Sequence, residues 1–394
     1  MNIKVLNISN NNNMGDIILG ETAVFLVNSL LQEQGDSKNV VERIEVIPCK
    51  SDLLKHHFFD LLFGRAVQLF SLLFKNNTQY RIYNVGAKIK ASNYYKRQFK
   101  NADAIIIAEG AFKYSLQDFS YYFEIINKIA TKRHIPVMLN AMSIEKANST
   151  DYRYHQLKRV ANMDSVKLIT TRDGAAGVDM LIKDYGITLS KCAYVGDTAF
   201  WIPECYNICR NEKSTIYGIG IMAPDVFVQN GFDLPENNVR AFYIDLIRCL
   251  QKRNIDFRLF TNGLGGDYDF TLELIDEMKL DQNLLLDKPN SPFDFINMIS
   301  GFKAIIGARM HACITAFSLG VPLVGLVWHN KLKAFAKTMI LDEYFFDSDN
   351  LNPDLIIQKM LEASYSDLQL SQREFYKNRT RDYIYEFLSK YLSV

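Results

Sequence analysis

The chain has 394 residues, 48% of them apolar, with 45 Lys and Arg against 44 Asp and Glu for a formal charge of +1. That length exceeds the usual single domain and supplies apolar material for two hydrophobic cores. The near-neutral balance removes any general reason to expect a nucleic-acid partner.

The cysteines stand at 49, 192, 205, 209, 249 and 313. Cys205-x-x-x-Cys209 has no second pair and no neighbouring histidines, so a zinc ribbon is excluded and free thiols of a reducing compartment are expected. His56 and His57 are adjacent and share no face of a helix or strand, and the other histidines are far apart in sequence; no metal site is expected. The opening MNIKVLNIS lacks the apolar run of a secretory signal, which points to a cytoplasmic chain.

In chain order, Ile3–Ile8 reads as a buried strand, Ser9–Asn13 as a loop, and Ile17–Leu31 as a helix beginning around Gly15 and Asp16. Gly15 would let backbone N–H groups approach an anion or a sugar hydroxyl, and Asp16 is either the N-cap or the group that orients an acceptor hydroxyl. Neither G-x-G-x-x-G nor G-x-x-x-x-G-K-[ST] follows any strand, which removes dinucleotide and P-loop chemistry. Glu42–Pro48 is the next strand. Residues 54–100 then carry Lys55, Arg65, Lys75, Arg81, Lys88, Lys90, Lys96, Arg97 and Lys100 against Asp60, interleaved with Phe and Tyr. Phe58–Phe74 falls short of the roughly 20 apolar residues that span a bilayer. It fits either a core helix or an interfacial helix making transient contact with a membrane surface.

Strands follow at Ala104–Ala108, Pro136–Ala141, Val166–Thr170 and Cys192–Val195, with helices at Leu116–Thr131, from about Asn148–Tyr154 to Met163, and at Ala175–Tyr185. Repeated βαβ units of this kind form a mostly parallel sheet with helices on both faces. Residues 204–216 read as a linker. The grammar then repeats: Thr215–Met222 opens the second series, followed by a helix at Val239–Lys252, a strand at Asp256–Phe260, a flexible loop Thr261–Asp267 containing Asn262, and a helix at Phe270–Met278. Further on come Pro292–Ile299 (helix), Ala304–Gly307 (strand), Met310–Leu319 (helix) and Pro322–Val327 (strand). The fold class is therefore α/β, with two domains of mostly parallel sheets facing across a cleft. Residues 1–204 form the first domain, 215–370 the second, and 371–394 a helix packing back toward the first.

The densest chemistry lies in GFKAIIGARMHACITAFSLGVPLVGLVWHNK at 301–331. Ligands of open α/β sheets bind beyond the carboxyl ends of the strands, which is where Arg309 and His311 follow Ile305 and Ile306. A guanidinium offers a fork for carboxylate or phosphate, and an imidazole carries a proton near neutrality. A cap or a packed core group is the plainer reading of the same histidine.

This segment, the amino-terminal strand with its NNMGD loop, ADAIIIAEGAF, and the RD and GDTAFWIP segments at 172–173 and 196–203 together resemble the polysaccharide pyruvyl transferase family. The family commonly shows G-N-x-G-D, where Asn11 or Asn12 here takes the place of the first glycine, and a run of glycines where this chain has Glu109, Gly110 and Ala111. The resemblance implies two facing Rossmann-like domains in a GT-B-like arrangement, with the acceptor on the first domain and phosphoenolpyruvate on the second. It implies transfer of the pyruvyl unit to two hydroxyls of one sugar, forming a ketal and releasing phosphate. His311 would be the general acid. Arg309 and Arg172 would pair with the donor's anionic groups, Lys331 would assist as a point charge, and Asp16 would position or deprotonate an acceptor hydroxyl. Gly15, Asp197 and Asn262 complete the substrate-binding candidates, Asp197 also being a plain turn residue. No cofactor and no metal is implied beyond the donor. The acceptor would be a cell-surface glycan or its lipid-linked oligosaccharide precursor, met at the inner face of the membrane. Two alternatives stand beside this reading: a GT-B glycosyltransferase using a nucleotide sugar, and a noncatalytic glycan-binding protein.

Overall fold

The computed structural model describes residues 1–7, 13–33, 40–45, 91–108, 112–115, 117–224, 235–328 and 330–392. The readings made above for Phe58–Phe74, most of the basic segment, His56 and His57, Asn11 and Asn12, Glu109–Ala111 and Cys49 lie outside the described residues.

The chain builds two parallel sheets. The first contains β1 (Asn2–Asn7), β2 (Val40–Glu45), β3 (Ala104–Ile107), β4 (Val137–Met142), β5 (Val166–Thr171) and β6 (Cys192–Tyr194), in the order β2-β1-β3-β4-β5-β6. Between them run α1 (Met14–Glu33), a helix over residues 91–98, α2 (Gln117–Arg133), α3 (Tyr152–Ala161) and α4 (Gly174–Lys183). After α5 (Ile202–Tyr206) the second sheet gathers β7 (Tyr217–Gly220), β8 (Phe257–Phe260), β9 (Ile305–Gly307), β10 (Leu323–Leu326) and β11 (Phe345–Phe346), in the order β11-β10-β9-β7-β8. Its helices are α6 (Glu236–Lys252), α7 (Gly265–Met278), α8 (Pro292–Ser300), α9 (Met310–Leu319), α10 (Asn330–Thr338) and α11 (Pro353–Glu362), and the long α12 (Asp367–Leu392) ends the described chain.

The strands are nearly continuous apolar runs because both sheet faces are covered. Every residue of β3, β4 and β10 is buried. Local signals fix the helix ends. Asp151 caps α3 by accepting from Arg153 N at 2.8 Å, and Ser291 caps α8 ahead of Pro292. Gly320 ends α9 at φ 75°, a left-handed position where a side chain is costly.

Among the boundaries that differ from the sequence reading, two have a visible cause. β2 begins at Val40 rather than Glu42, because Val40 N donates to Met1 O at 2.8 Å and so sets the register with β1. The stretch read as a flexible loop to Asp267 is helical from Gly265, with Asp267 in the first turn.

One apolar cluster joins the halves. Met14, Ile18 and Leu19 of α1 pack with Phe200 and with Ala312, Ala316 and Phe317 of α9. At roughly 25 cal/mol per Å² of apolar surface removed from water, such a shared core holds α1 against the second sheet's helices rather than leaving it a lid. α1 is long and apolar enough to cross a membrane, but its apolar side chains serve these two cores.

α12 straps across both halves. Its start engages the second half through Gln372 Nε2 to Thr338 O at 2.9 Å and Arg373 Nη1 to Phe317 O at 2.8 Å. Its middle meets the first, where Gly196 N donates to Tyr376 O at 3.0 Å and Arg379 Nε to Tyr194 O at 2.9 Å. Ile384, Phe387 and Leu388 then enter the core beneath β1 and β3.

Candidate active site

The carboxyl ends of both sheets converge, as open parallel sheets require of a ligand site. From the first sheet come Asp16 after β1, Lys113 after β3, Arg172 and Asp173 after β5, and Asp197 after β6. From the second come Arg309 and His311 after β9 and Lys331 after β10. A pocket with about 330 Å³ of open space, solvent included, has Arg172, Asp173, Gly196 and Asp197 of the first half and Met310, Ile314 and Lys331 of the second in its lining, whereas Asp16, Lys113, Arg309 and His311 are not part of that lining.

His311 occupies the first turn of α9. Gly15 touches its ring: a Cβ built on Gly15 would stand 2.1 Å from His311 Nδ1, so only glycine lets α1 approach this closely. His311 Nε2 is buried and has no hydrogen-bond partner among the described residues. Burial, opposed by the pull of Asp197 and reinforced by the positive charges of Arg172 and Lys331, lowers the imidazole pKa to about 4. The histidine is thus neutral in the free protein at pH 7, whereas the sequence reading has it protonated near neutrality. The physical reason is desolvation beside cations, which the motif does not reveal.

Arg309 behaves differently. Its Nε donates to Asp267 Oδ2 at 2.8 Å and its Nη2 to Asp267 Oδ1 at 2.7 Å, while the guanidinium lies 5.9 Å from the Trp328 ring centroid. Asp267 is 1% exposed and also accepts from Ala223 N at 2.9 Å. The fork expected to grip a substrate anion is therefore taken by a buried carboxylate. Arg309 is also the N-cap residue of α9 but makes no side-chain cap; Ala312 N and Cys313 N donate to its carbonyl at 3.0 and 3.2 Å, which leaves the N–H groups of Met310 and His311 for an anion.

Arg172 pairs through Nη1 with Asp197 Oδ2, and both side chains are almost fully buried. Asp197 further accepts from Ala199 N at 2.9 Å, capping the short turn Thr198–Trp201. Asp173 accepts from Ile144 N at 2.7 Å and Ser143 Oγ at 3.2 Å, tying β5 to the end of β4.

Asp16 is not the cap expected of it. Asn13 caps α1, its Oδ1 accepting from Gly15 N at 3.2 Å and its Nδ2 donating to Asp16 Oδ2 at 2.9 Å. This frees Asp16 to lie in the first turn. There burial raises its pKa to about 6, against the lowering effect of Arg172, the Asn13 hydrogen bond and Lys331. A carboxyl with that pKa can exchange a proton near neutrality.

Lys331 opens α10 and is held well below the ordinary lysine range by burial and by the neighbouring Lys113 and Arg172, with Asp173 opposing. Asn262 sits buried beyond β8. It lies on the second sheet's edge outside the pocket's lining, whereas Arg172, Asp197 and Lys331 line it.

Sequence reasoning passed over Lys113 and Asp267. Lys113 was discoverable, since it closely follows a buried strand at the ligand edge. Asp267 was not, because its partner lies 42 residues away and no local pattern announces the pair. Among the described residues no group of three His, Cys, Asp or Glu stands where it could hold a metal ion.

Two parallel sheets with flanking helices, meeting at their carboxyl edges, define a GT-B-like fold. The same fold occurs in UDP-GlcNAc 2-epimerase from Neisseria meningitidis, at 13% identity and TM-score 0.58 over 99% of this chain and 100% of that one. The epimerase from Methanocaldococcus jannaschii matches at 10% identity and TM-score 0.59, over 99% and 100%. A glycosyltransferase from Rickettsia africae ESF-5 matches at 14% and 0.52, over 100% and 98%. No curated protein matches the chain in sequence. Residues 52–330 match the polysaccharide pyruvyl transferase family, and the chain belongs to it.

Proposed function

We propose that this chain transfers the pyruvyl unit of phosphoenolpyruvate to two hydroxyls of one sugar in a cell-surface glycan or its lipid-linked precursor. The observation that carries this reading is a neutral, unpartnered imidazole nitrogen on His311 beside the cations Arg172 and Lys331. An anionic donor offsets those cations, so its arrival raises the pKa of His311 and loads the imidazole with a proton only when there is something to protonate.

The steps balance. His311 delivers a proton to C3 of the enol as C2 becomes oxocarbenium-like, and a sugar hydroxyl adds to C2, losing its proton to Asp16. Departure of phosphate regenerates the cation at C2. The second hydroxyl then closes the ketal, and its proton leaves with the phosphate. The open N–H groups of α9 and the ammonium of Lys331 stabilise the donor's negative charge where it is greatest. The membership of a pyruvyl transferase family supports this chemistry over its rivals.

The test is phosphate release from phosphoenolpyruvate in the presence of pooled free and lipid-linked glycans, with mass analysis of the acceptor for a pyruvate ketal. Release coupled to ketal formation is expected. A folded protein that leaves phosphoenolpyruvate intact but consumes a UDP-sugar would overturn it in favour of nucleotide-sugar chemistry, the activity named for the structurally similar epimerases.

A further inference from the structure

Asn7 ends β1 and is fully buried, on a strand that supplies Ile3, Val5 and Leu6 to the cores. An amide in such a place is costly unless it is hydrogen-bonded. Its Nδ2 donates twice, each time to a main-chain carbonyl of another element: Asp16 O in the first turn of α1 at 2.8 Å, and Ala108 O just past β3 at 2.9 Å. Its Oδ1 is buried with no partner among the described residues. Asn7 thus ties three elements together while leaving an acceptor of its own unmet, an arrangement that a core built for stability alone avoids.

The close approach of α1 to Asn7 depends on a glycine. A Cβ built on Gly20 would stand 2.7 Å from Asn7 Cγ and 2.9 Å from its Oδ1. Gly20 is four residues after Asp16, the helical partner of the very carbonyl that Asn7 holds, so the clearance and the hydrogen bond belong to one contact. Gly15, which touches the His311 ring, lies five residues before Gly20, about 140° round the helix. The first turns of α1 are therefore set between Asn7 of the first half and His311 of the second. Asp16 lies in that stretch, its carboxyl held by Asn13 at 2.9 Å and its main chain by Asn7.

We propose that Asn7 is a positioning residue for the acceptor side of the site: it fixes the main chain of Asp16 against the carboxyl edge of β1 and β3, so that the carboxyl meets a sugar hydroxyl in one orientation. The inference rests on the pyruvyl-transfer reading for what Asp16 does, but not for how Asp16 is held.

The experiment is a carboxyl-carbon NMR titration of Asp16, assigned with Asp16→Asn, in wild type, Asn7→Leu and Gly20→Ala, with thermal unfolding of each as the check on folding. Phosphate release from phosphoenolpyruvate with pooled glycans is followed on the same proteins. Leucine keeps the volume and removes both donors, whereas alanine at position 20 keeps the amide and pushes it aside. Burial is what raises the Asp16 carboxyl to about 6, so a turn released from Asn7 admits water and lowers that value. Both variants are expected to bring it more than halfway back to the ordinary 3.8. They are also expected to cut kcat about 10- to 100-fold while KM for phosphoenolpyruvate stays within about twofold. Gly20→Ala carries the test if Asn7→Leu does not fold. An unmoved Asp16 value in the folded variants, or a moved one with wild-type turnover, overturns the positioning role. A moved value in a protein that never consumes phosphoenolpyruvate keeps that role and overturns the pyruvyl-transfer reading.

Discussion

Arg309 and His311 stand two residues apart on one strand-to-helix turn, and the protein treats them in opposite ways. The arginine is electrostatically complete: its fork closes on Asp267, which is 1% exposed and has Ala223 N as a further donor. The histidine is left incomplete, with a buried Nε2 that has no described partner and cations on the pocket side. A satisfied network rigidifies, whereas a frustrated one stores a demand that only a ligand can meet. The Arg-x-His pair thus divides into a part that holds the turn in place and a part that, under the proposed function, carries the proton.

The sharpest way to break this division is to remove each side chain in turn. His311→Ala is expected to cut kcat by about 10²- to 10⁴-fold, the usual loss of a general acid, with little change in melting temperature. Arg309→Ala is expected to cost stability first, by about 3–5 kcal/mol, because it leaves Asp267 buried and unpaired. Paired unfolding curves and single-turnover rates check both. A stable, inactive Arg309→Ala protein would return the arginine to the substrate.

A smaller effect sharpens the same contrast at Asp16. Its folded pKa of about 6 lies above the ordinary 3.8, so the folded state binds the extra proton between those values and ionisation opposes folding above about pH 6. Asp16→Asn should therefore raise stability at pH 7–8 by at most about 3 kcal/mol, with the gain fading as pH falls from about 6 to about 4. It should also lower turnover. Denaturant melts of both proteins across that pH range measure the first effect, and a gain over wild type no larger at pH 8 than at pH 4 would contradict it.

Much of the fold was legible because parallel strands announce themselves. AIII at Ala104–Ile107 and LVGL at Leu323–Leu326 are apolar on both faces, and turn residues separate them from amphipathic helices. The edges were less legible where a distant partner decides them. Val40 joins β2 through Met1, and Gly265 begins α7 where Asp267 is held by Arg309. At the site, sequence brought the right segments together but assigned charge states from isolated residues. Nothing in G-A-R-M-H tells that the arginine has a carboxylate 42 residues upstream, or that Gly15 presses on the imidazole. Asn13 was read as one of a run of loop asparagines, although its spacing to Asp16 is that of a reciprocal cap.

The most direct measurement is an NMR titration of the His311 ring in the free protein, with phosphoenolpyruvate, and with a neutral sugar. The account predicts a pKa of about 4 in the free protein, rising toward neutrality with phosphoenolpyruvate and unmoved by the sugar. A free-protein pKa near the ordinary 6.5, or no response to the anion, would contradict a histidine charged by its substrate.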